Sequence, residues 1–146
     1  MAEIEGYEFP DDLYYHKEHL WARVEYKKVR CGMTSFAQES AGDIVYVDLP
    51  FEGDEVTKDE PFGKVQSAKW IGELYAPISG EIISVNEILD RKPTLINESP
   101  YESGWIILIR PNRLEEELKT LMTHKTGLAD WMKEEIERVE AESEGT

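Results

Sequence analysis

The chain has 146 residues, 40% of them hydrophobic, enough for one packed domain and too few for two independent cores. Its 16 Lys and Arg face 31 Asp and Glu, a net charge of −15, which disfavours nucleic-acid phosphates and anionic lipid, since both need clustered cations. A single cysteine, Cys31, excludes an internal disulfide and a Cys-rich zinc site.

No apolar run approaches the roughly 18 residues of a membrane helix. Met1–Gly6 shows neither the basic nor the apolar region of a secretory signal, so a cytoplasmic location is expected. Residues 1–12, with Pro10-Asp11-Asp12 and no clear period, read as an N-terminal arm. From Tyr14 to Val29 the pattern is aromatic and β-branched, and Leu20, Ala22 and Val24 alternate against Trp21, Arg23 and Glu25, which is strand periodicity. Thr34–Ser40 reads as one or two helical turns capped by Thr34 or Ser35. A strand from Gly42 follows, ended by Pro50.

The centre is punctuated by Pro50, Gly53, Pro61, Gly63, Gly72, Pro77 and Gly80, with short runs rich in Val, Ile, Tyr and Phe between them. Helices of ordinary length do not fit these intervals, so an all-β sandwich or flattened barrel is expected. A weak repeat supports it: Gly42-Asp-Ile-Val-Tyr-Val47 returns as Gly80-Glu-Ile-Ile-Ser-Val85. Two such half-units suggest a pseudo-symmetric sandwich with Lys69 in the segment between them.

After Gly104–Arg110 and Pro111 the period changes. Asn112 with Glu115 approximates a capping box, and Leu114, Leu118, Leu121 and Met122 share one helical face. A second helix is expected over 128–139, with Leu128, Met132, Ile136 and Val139 on its apolar side. Residues 140–146 are too polar and small to pack and are expected to fray. The expected organisation is a β domain with its arm over 1–111 and a helical extension over 112–146.

Little in the chain reads as a self-contained active site. His16 and His19 lie three apart, which on a strand sends them to opposite faces and prevents joint chelation. Cys31 sits in an apolar stretch and reads as an inert buried thiol. The glycines are isolated turn residues and form no phosphate loop. One segment stands apart, Phe62–Gly80, in which strand-like residues flank Ser67-Ala68-Lys69 and place Lys69 on an exposed hairpin turn. By itself that describes an ordinary solvated lysine.

The stretches His19-Leu-Trp21, Cys31-Gly-Met-Thr34, Ala37-Gln38-Glu39, Gly42–Pro50 and Gly53-Asp-Glu-Val56 form the first part of an ordered series. Pro61-Phe-Gly63, Leu74–Glu81, Leu95-Ile-Asn97, Ser99-Pro-Tyr101 and Gly104-Trp105 complete it. The series resembles the lipoyl and biotinyl carrier domains, and more closely the H proteins of glycine cleavage systems, over roughly Tyr14 to Arg110. The resemblance implies a mostly β fold, a lipoyl/biotinyl-carrier-like sandwich (a flattened barrel-sandwich hybrid) followed by C-terminal helices.

Gln66-Ser67-Ala68-Lys69-Trp70 aligns with the family motif Glu-Ser-Val-Lys-Ala, so the resemblance marks Lys69 for covalent lipoate, with Ser67, Trp70, Gln66 and Glu73 around it. A biotin carrier would typically show Met on both sides of the lysine. The implied role is a non-catalytic carrier that shuttles an aminomethyl group between glycine decarboxylase and aminomethyltransferase. Dihydrolipoamide dehydrogenase and a lipoyl-attaching enzyme are the further implied partners, with no nucleic acid and no membrane.

Four positions depart from the family pattern. Leu20 stands where the family has the glutamate of His-Glu-Trp, a carboxylate associated with holding the loaded amine. Gln66 replaces a glutamate, Trp70 an alanine, and Glu73 the usual aspartate. Glu18, which shares a face with Leu20 on an ideal strand, is a possible substitute. Since these changes gather around the lysine, the alternative is an H-like lipoate-binding protein carrying sulfur for a heterodisulfide-reductase-like oxidation complex.

Overall fold

The computed structural model describes residues 2–4 and 6–144, with no side-chain placement for residue 2 or residues 142–144. Met1 and Glu5, part of the segment read above for targeting, lie outside the described residues.

Each predicted run of alternating residues becomes a short strand ended by the turn residue that follows it. In chain order the elements are β1 (Ala2–Ile4), β2 (Tyr7–Phe9), β3 (Tyr14–Tyr15), β4 (Leu20–Glu25), β5 (Lys28–Met33), α1 (Ser35–Ala41) and β6 (Ile44–Asp48). Then come β7 (Glu55–Val56), β8 (Pro61–Ser67), β9 (Ile71–Tyr75), β10 (Gly80–Val85), a 3-10 turn at Glu87–Asp90, and α2 (Leu95–Glu98). The last are β11 (Ile107–Pro111), α3 (Leu114–Leu118) and α4 (Leu128–Glu144).

The strands form a six-stranded sheet in the order β3-β4-β5-β11-β10-β7 and a three-stranded sheet in the order β6-β8-β9. Between them lies an aliphatic core of residues such as Leu20, Ala22, Val29, Ile44, Val65, Leu74, Ile82 and Ile109, the sandwich arrangement expected from the chain. The internal repeat is visible in the backbone. In β6 the pairing register slips between Ile44 and Tyr46, and in β10 it slips between Ile82 and Ser84. Val45 and Ile83, the fourth residue of each half-unit, are therefore equivalent bulges, one in each sheet.

A second, smaller cluster was not legible in the chain. Phe9, Leu13, Tyr15, Trp21, Phe36, Tyr101, Leu128 and Met132 pack together on the outer side of β4. The segment read as an arm is instead a hairpin, β1 paired with β2, whose Phe9 is fully buried there. This cluster also explains why β4 starts with three buried residues in a row: Leu20 and Ala22 face the sandwich while Trp21 faces the cluster. Trp21 lies opposite Gly32 of β5 and donates from Nε1 to the Pro100 carbonyl at 2.9 Å. Tyr101 joins four segments, because its hydroxyl donates to the Glu8 carbonyl at 2.6 Å and accepts from the Ser35 N–H, while its own carbonyl accepts from Arg23.

The C-terminal region differs from its expected form in three respects. Asn112 does not cap α3, whose N-cap is Arg113 without a side-chain bond. The carboxylate in use is Glu117, which accepts from both the Ser79 N–H and the Ser79 hydroxyl at 2.7 Å. The helix ends at Leu118 because Leu121 and Met122 serve different clusters, and Met122 exchanges two backbone hydrogen bonds with Tyr15. The second helix forms as α4, with Leu128, Met132, Ile136 and Val139 on the second cluster, outside β4. It continues through Glu144, so residues 140–144, expected to fray, are helical instead, and residues 145–146 lie outside the described residues.

Candidate functional site

Lys69 occupies the three-residue loop between β8 and β9, where the Ser67 N–H donates to the Trp70 carbonyl at 2.8 Å and closes the turn. Ser67 is buried, and its hydroxyl accepts a long 3.4 Å bond from the Lys69 N–H. The Ser67 side chain thus stiffens the turn from inside, whereas Lys69 is exposed. Gln66 is exposed on the opposite, outer face, in a row with Tyr46 and Ile71.

The stem of Lys69 reaches back across Gly42, the residue that ends α1, with Cε 3.2 Å from where a Cβ of Gly42 would stand. Thr34 caps the other end of α1 by accepting from the Ala37 N–H. The corner between α1 and β6 is held by Asn97. Its Oδ1 accepts from the Ile44 N–H at 2.8 Å, and its Nδ2 donates to the Gly42 carbonyl at 2.9 Å and to Gln38 Oε1 at 3.0 Å.

A cleft of ≈ 310 Å³ opens at this corner. Ala37, Ser40 and Ala41 of α1 form one side, Leu20, Met33 and Leu74 add apolar surface, and Trp70 and Glu73 stand at the hairpin end. Glu18 and His19 contribute from the turn before β4, and Arg138 and Val139 of α4 close the far side. Of the sequence-predicted residues, Trp70 and Glu73 reach this cleft, and Ser67, Gln66 and Lys69 itself do not line it. Trp70 is 43% exposed, its ring laid across Gly72. Glu73 is exposed and accepts from the Tyr75 hydroxyl at 3.1 Å, which raises the pKa of that tyrosine.

Leu20 is almost fully buried and presents only hydrocarbon. Glu18 reaches the same cleft, though not by strand alternation. Residues 17–19 form a turn in which His19 takes φ +70, so His19, Glu18 and Leu20 all line it. The His19 ring is packed between Phe36 and Trp131, with centroids 5.2 and 4.8 Å away, and its Nε2 lies 3.2 Å from Glu135 Oε1. Glu135 also accepts from Arg138 Nε at 2.7 Å. Burial lowers the pKa of His19, against the raising influence of Glu135.

His16 is buried and points elsewhere. It accepts at Nδ1 from the Glu18 N–H, so Nε2 carries the proton and donates to Asp59. Burial lowers its pKa, while the His16 bond and then Lys58 lower that of Asp59. The two histidines therefore have separate structural duties, and no group of three metal-ligating side chains occurs among the described residues. Cys31 is buried, and burial pushes its thiol pKa up, so it is protonated at neutral pH.

The glycine cleavage H-protein family profile matches residues 13–135. The chain belongs to that family. A glycine cleavage system H protein of Geobacillus thermodenitrificans is 57% identical over 107 residues, covering 73% of this chain and 84% of that protein. One from Halalkalibacterium halodurans is 50% identical over 123 residues, 83% of this chain and 96% of the other. A crystal structure of a glycine cleavage system H protein from Mycobacterium marinum superposes with a TM-score of 0.73 at 31% identity, over 87% of this chain and 98% of that one. Family membership carries with it the lipoyl-carrier role in glycine cleavage, and nothing in these comparisons supports the sulfur-carrying alternative. The match ends at residue 135, so Arg138 and Val139 of the cleft lie beyond it.

The cleft's far wall was the part that sequence reasoning missed. The apolar stripe of α4 was readable, but nothing local says that it joins the cluster of Phe36 and Trp21 and so brings Arg138 and Val139 to the cleft. Asn97 lies in a stretch that carried the resemblance, yet its role as a bracket depends on contacts more than fifty residues away in the chain.

Proposed function

We propose that Lys69 is the lipoyl attachment site through which this H-protein family member carries an aminomethyl group between glycine decarboxylase and aminomethyltransferase. Dihydrolipoamide dehydrogenase would reoxidise the arm, and a lipoyl-attaching enzyme would install it. The observation that carries the reading is the exposed Lys69 at the tip of a stiff hairpin, beside a cleft with apolar walls. The residues fit the group: the amine is reachable, and the cleft is lined by Leu20, Met33 and Leu74.

When bound, lipoamide supplies a dithiol/disulfide couple and the atom to which cargo is attached. The chain's own residues hold and present it. Amide formation at Nζ removes a positive charge and leaves a neutral arm able to lie on hydrocarbon. Ser67 keeps the turn from flexing, and Trp70 and Leu20 offer apolar surface. Glu18 and Glu73 are the carboxylates an amine-bearing cargo would meet, in place of the one Leu20 lacks. Tethering raises the cargo's effective concentration at each docked enzyme, so no acid, base or metal of its own is needed and the chain is not an enzyme by itself. Gln66, outside the cleft beside Tyr46 and Ile71, stands where a docking enzyme meets the turn. The net charge of −15 would steer association with basic partner surfaces in the cytoplasm.

The test is intact-mass measurement and peptide mapping of protein from its own cells, together with Lys69→Arg. One lipoyl amide on Lys69, and loss of glycine-dependent loading in the variant, are expected. Bare Lys69 in native material, or a fully active Lys69→Arg, overturns the assignment.

A further inference from the structure

Two glycines beside the hairpin are each overlaid by a side chain from the turn itself. At Gly42, a Cβ would stand 3.2 Å from Lys69 Cε and 3.8 Å from Nζ, and the residue has φ +86. At Gly72, a Cβ would fall 2.1 Å from Cζ2 and Cη2 of Trp70, so the indole can lie flat there only because no side chain exists. Gly42 directly follows Ala41, which with Ala37 and Ser40 forms the α1 side of the cleft, and Trp70 lines the same cleft from the hairpin. The stem of Lys69 thus passes the residue that follows the α1 side of the cleft, while the indole of the next residue, Trp70, lines that cleft from the hairpin. The rest under the stem is itself immobile, because Asn97 bonds the Gly42 carbonyl and the Ile44 N–H on either side of the corner.

We propose that Gly42 and Trp70 form a guide that directs the acylated Lys69 arm along α1 into the cleft, Gly42 as the bare backbone rest and Trp70 as the facing wall. The inference rests on Lys69 bearing the lipoyl group. Both are positioning residues. A methyl group at Gly42 stands 3.2 Å from the ε-methylene, tighter than ordinary contact, so it displaces the stem from its present rest, and removal of the indole takes away the wall at the hairpin end.

The test uses protein lipoylated on Lys69 in vitro. Nuclear Overhauser contacts are expected between the Lys69 ε-methylene and the Gly42 α protons, and between arm methylenes and the Trp70 ring. After reduction of the arm, alkylation of its thiols by a polyethylene-glycol maleimide should be faster in Gly42→Ala and Trp70→Ala by about three- to ten-fold, the effect of losing one preferred rotamer. Trp70→Phe, which keeps a flat wall, should restore most of the protection. Gly53→Ala is the control for backbone strain, since Gly53 has φ +93 with open space around it, and its rate should equal that of the wild type. Absence of the contacts in wild-type protein, or one common alkylation rate for all variants, overturns the guide. Should Gly42→Ala fail to fold, the wild-type contacts and the Trp70 pair decide by the same criteria. Failure of the attachment assignment is distinguishable, since it is read from the mass of native protein and not from protein acylated in vitro.

Discussion

Asn97→Ala is the substitution whose cost can be worked most directly from the structure. The amide makes three bonds of 3.0 Å or less: from the Ile44 N–H, to the Gly42 carbonyl and to Gln38 Oε1. Ile44 is fully buried, so its N–H has no route to water once the acceptor is gone. Each backbone group left without its partner costs about 1–1.5 kcal/mol, and the lost side-chain bond adds somewhat less. The total is about 2–4 kcal/mol, which lowers Tm by about 5–15 °C in a domain of this size. Urea titration followed by far-UV circular dichroism measures it as a lower midpoint at unchanged slope. Asn97→Asp sharpens the test. It keeps an acceptor for Ile44 but loses both donors and sets a carboxylate oxygen against the Gly42 and Gln38 carbonyls, so it should be no more stable than the alanine variant. A loss below about 0.5 kcal/mol for Asn97→Ala would show that the α1–β6 corner holds itself, and the account of a fixed rest beneath Lys69 would fail with it.

Gly32→Ala places a Cβ 2.7–2.9 Å from Cζ2, Cε2 and Nε1 of the Trp21 ring; displacing that ring and its bond to Pro100 should cost about 2–3 kcal/mol in the same titration, and a neutral result would contradict the packing. Tyr26 sits at φ +61 in the two-residue β4–β5 loop with its side chain fully exposed, so Tyr26→Gly should gain up to about 1 kcal/mol, and a loss would mean that the ring has a partner. His16 and His19 have lowered pKa values in the fold, so their contribution is complete above the unfolded value near 6.5 and declines as pH falls below it, by up to about 1.4 kcal/mol per pH unit each. Reduced repulsion among the carboxylates acts in the opposite sense, so the measurement is the stability gap between wild type and His16→Gln. That gap should narrow from pH 7.5 to pH 5.5; a constant gap refutes the neutral-imidazole assignment.

The strands between Leu20 and Val85 could be anticipated because their determinants are local, namely alternation within each run and a Gly or Pro at its end. The repeat was readable for the same reason, and its two bulges fall at one position, Val45 and Ile83. The Lys69 turn was readable as exposed. Which of its neighbours face the cleft was not, because Trp70 folds back over Gly72 while Gln66 points to the other side of the sheet. The turn at residues 17–19 also misled, since alternation predicts opposite faces for Glu18 and His19, and the positive φ of His19 brings both into one cleft. The second cluster escaped because its members, Phe9, Trp21, Phe36 and Met132, are scattered along the chain, and no window of sequence contains their contacts.

Arg138 and Val139 belong to a helix joined to no sheet ladder, yet they bound the cleft that Trp70 and Glu73 line from the Lys69 hairpin. The volume offered to a cargo is therefore adjustable by edits to one appended segment that leave the two sheets untouched. A sandwich built this way can be refitted for a larger or smaller passenger by lengthening, trimming or recharging that segment, much as a drawer is resized by moving its back panel.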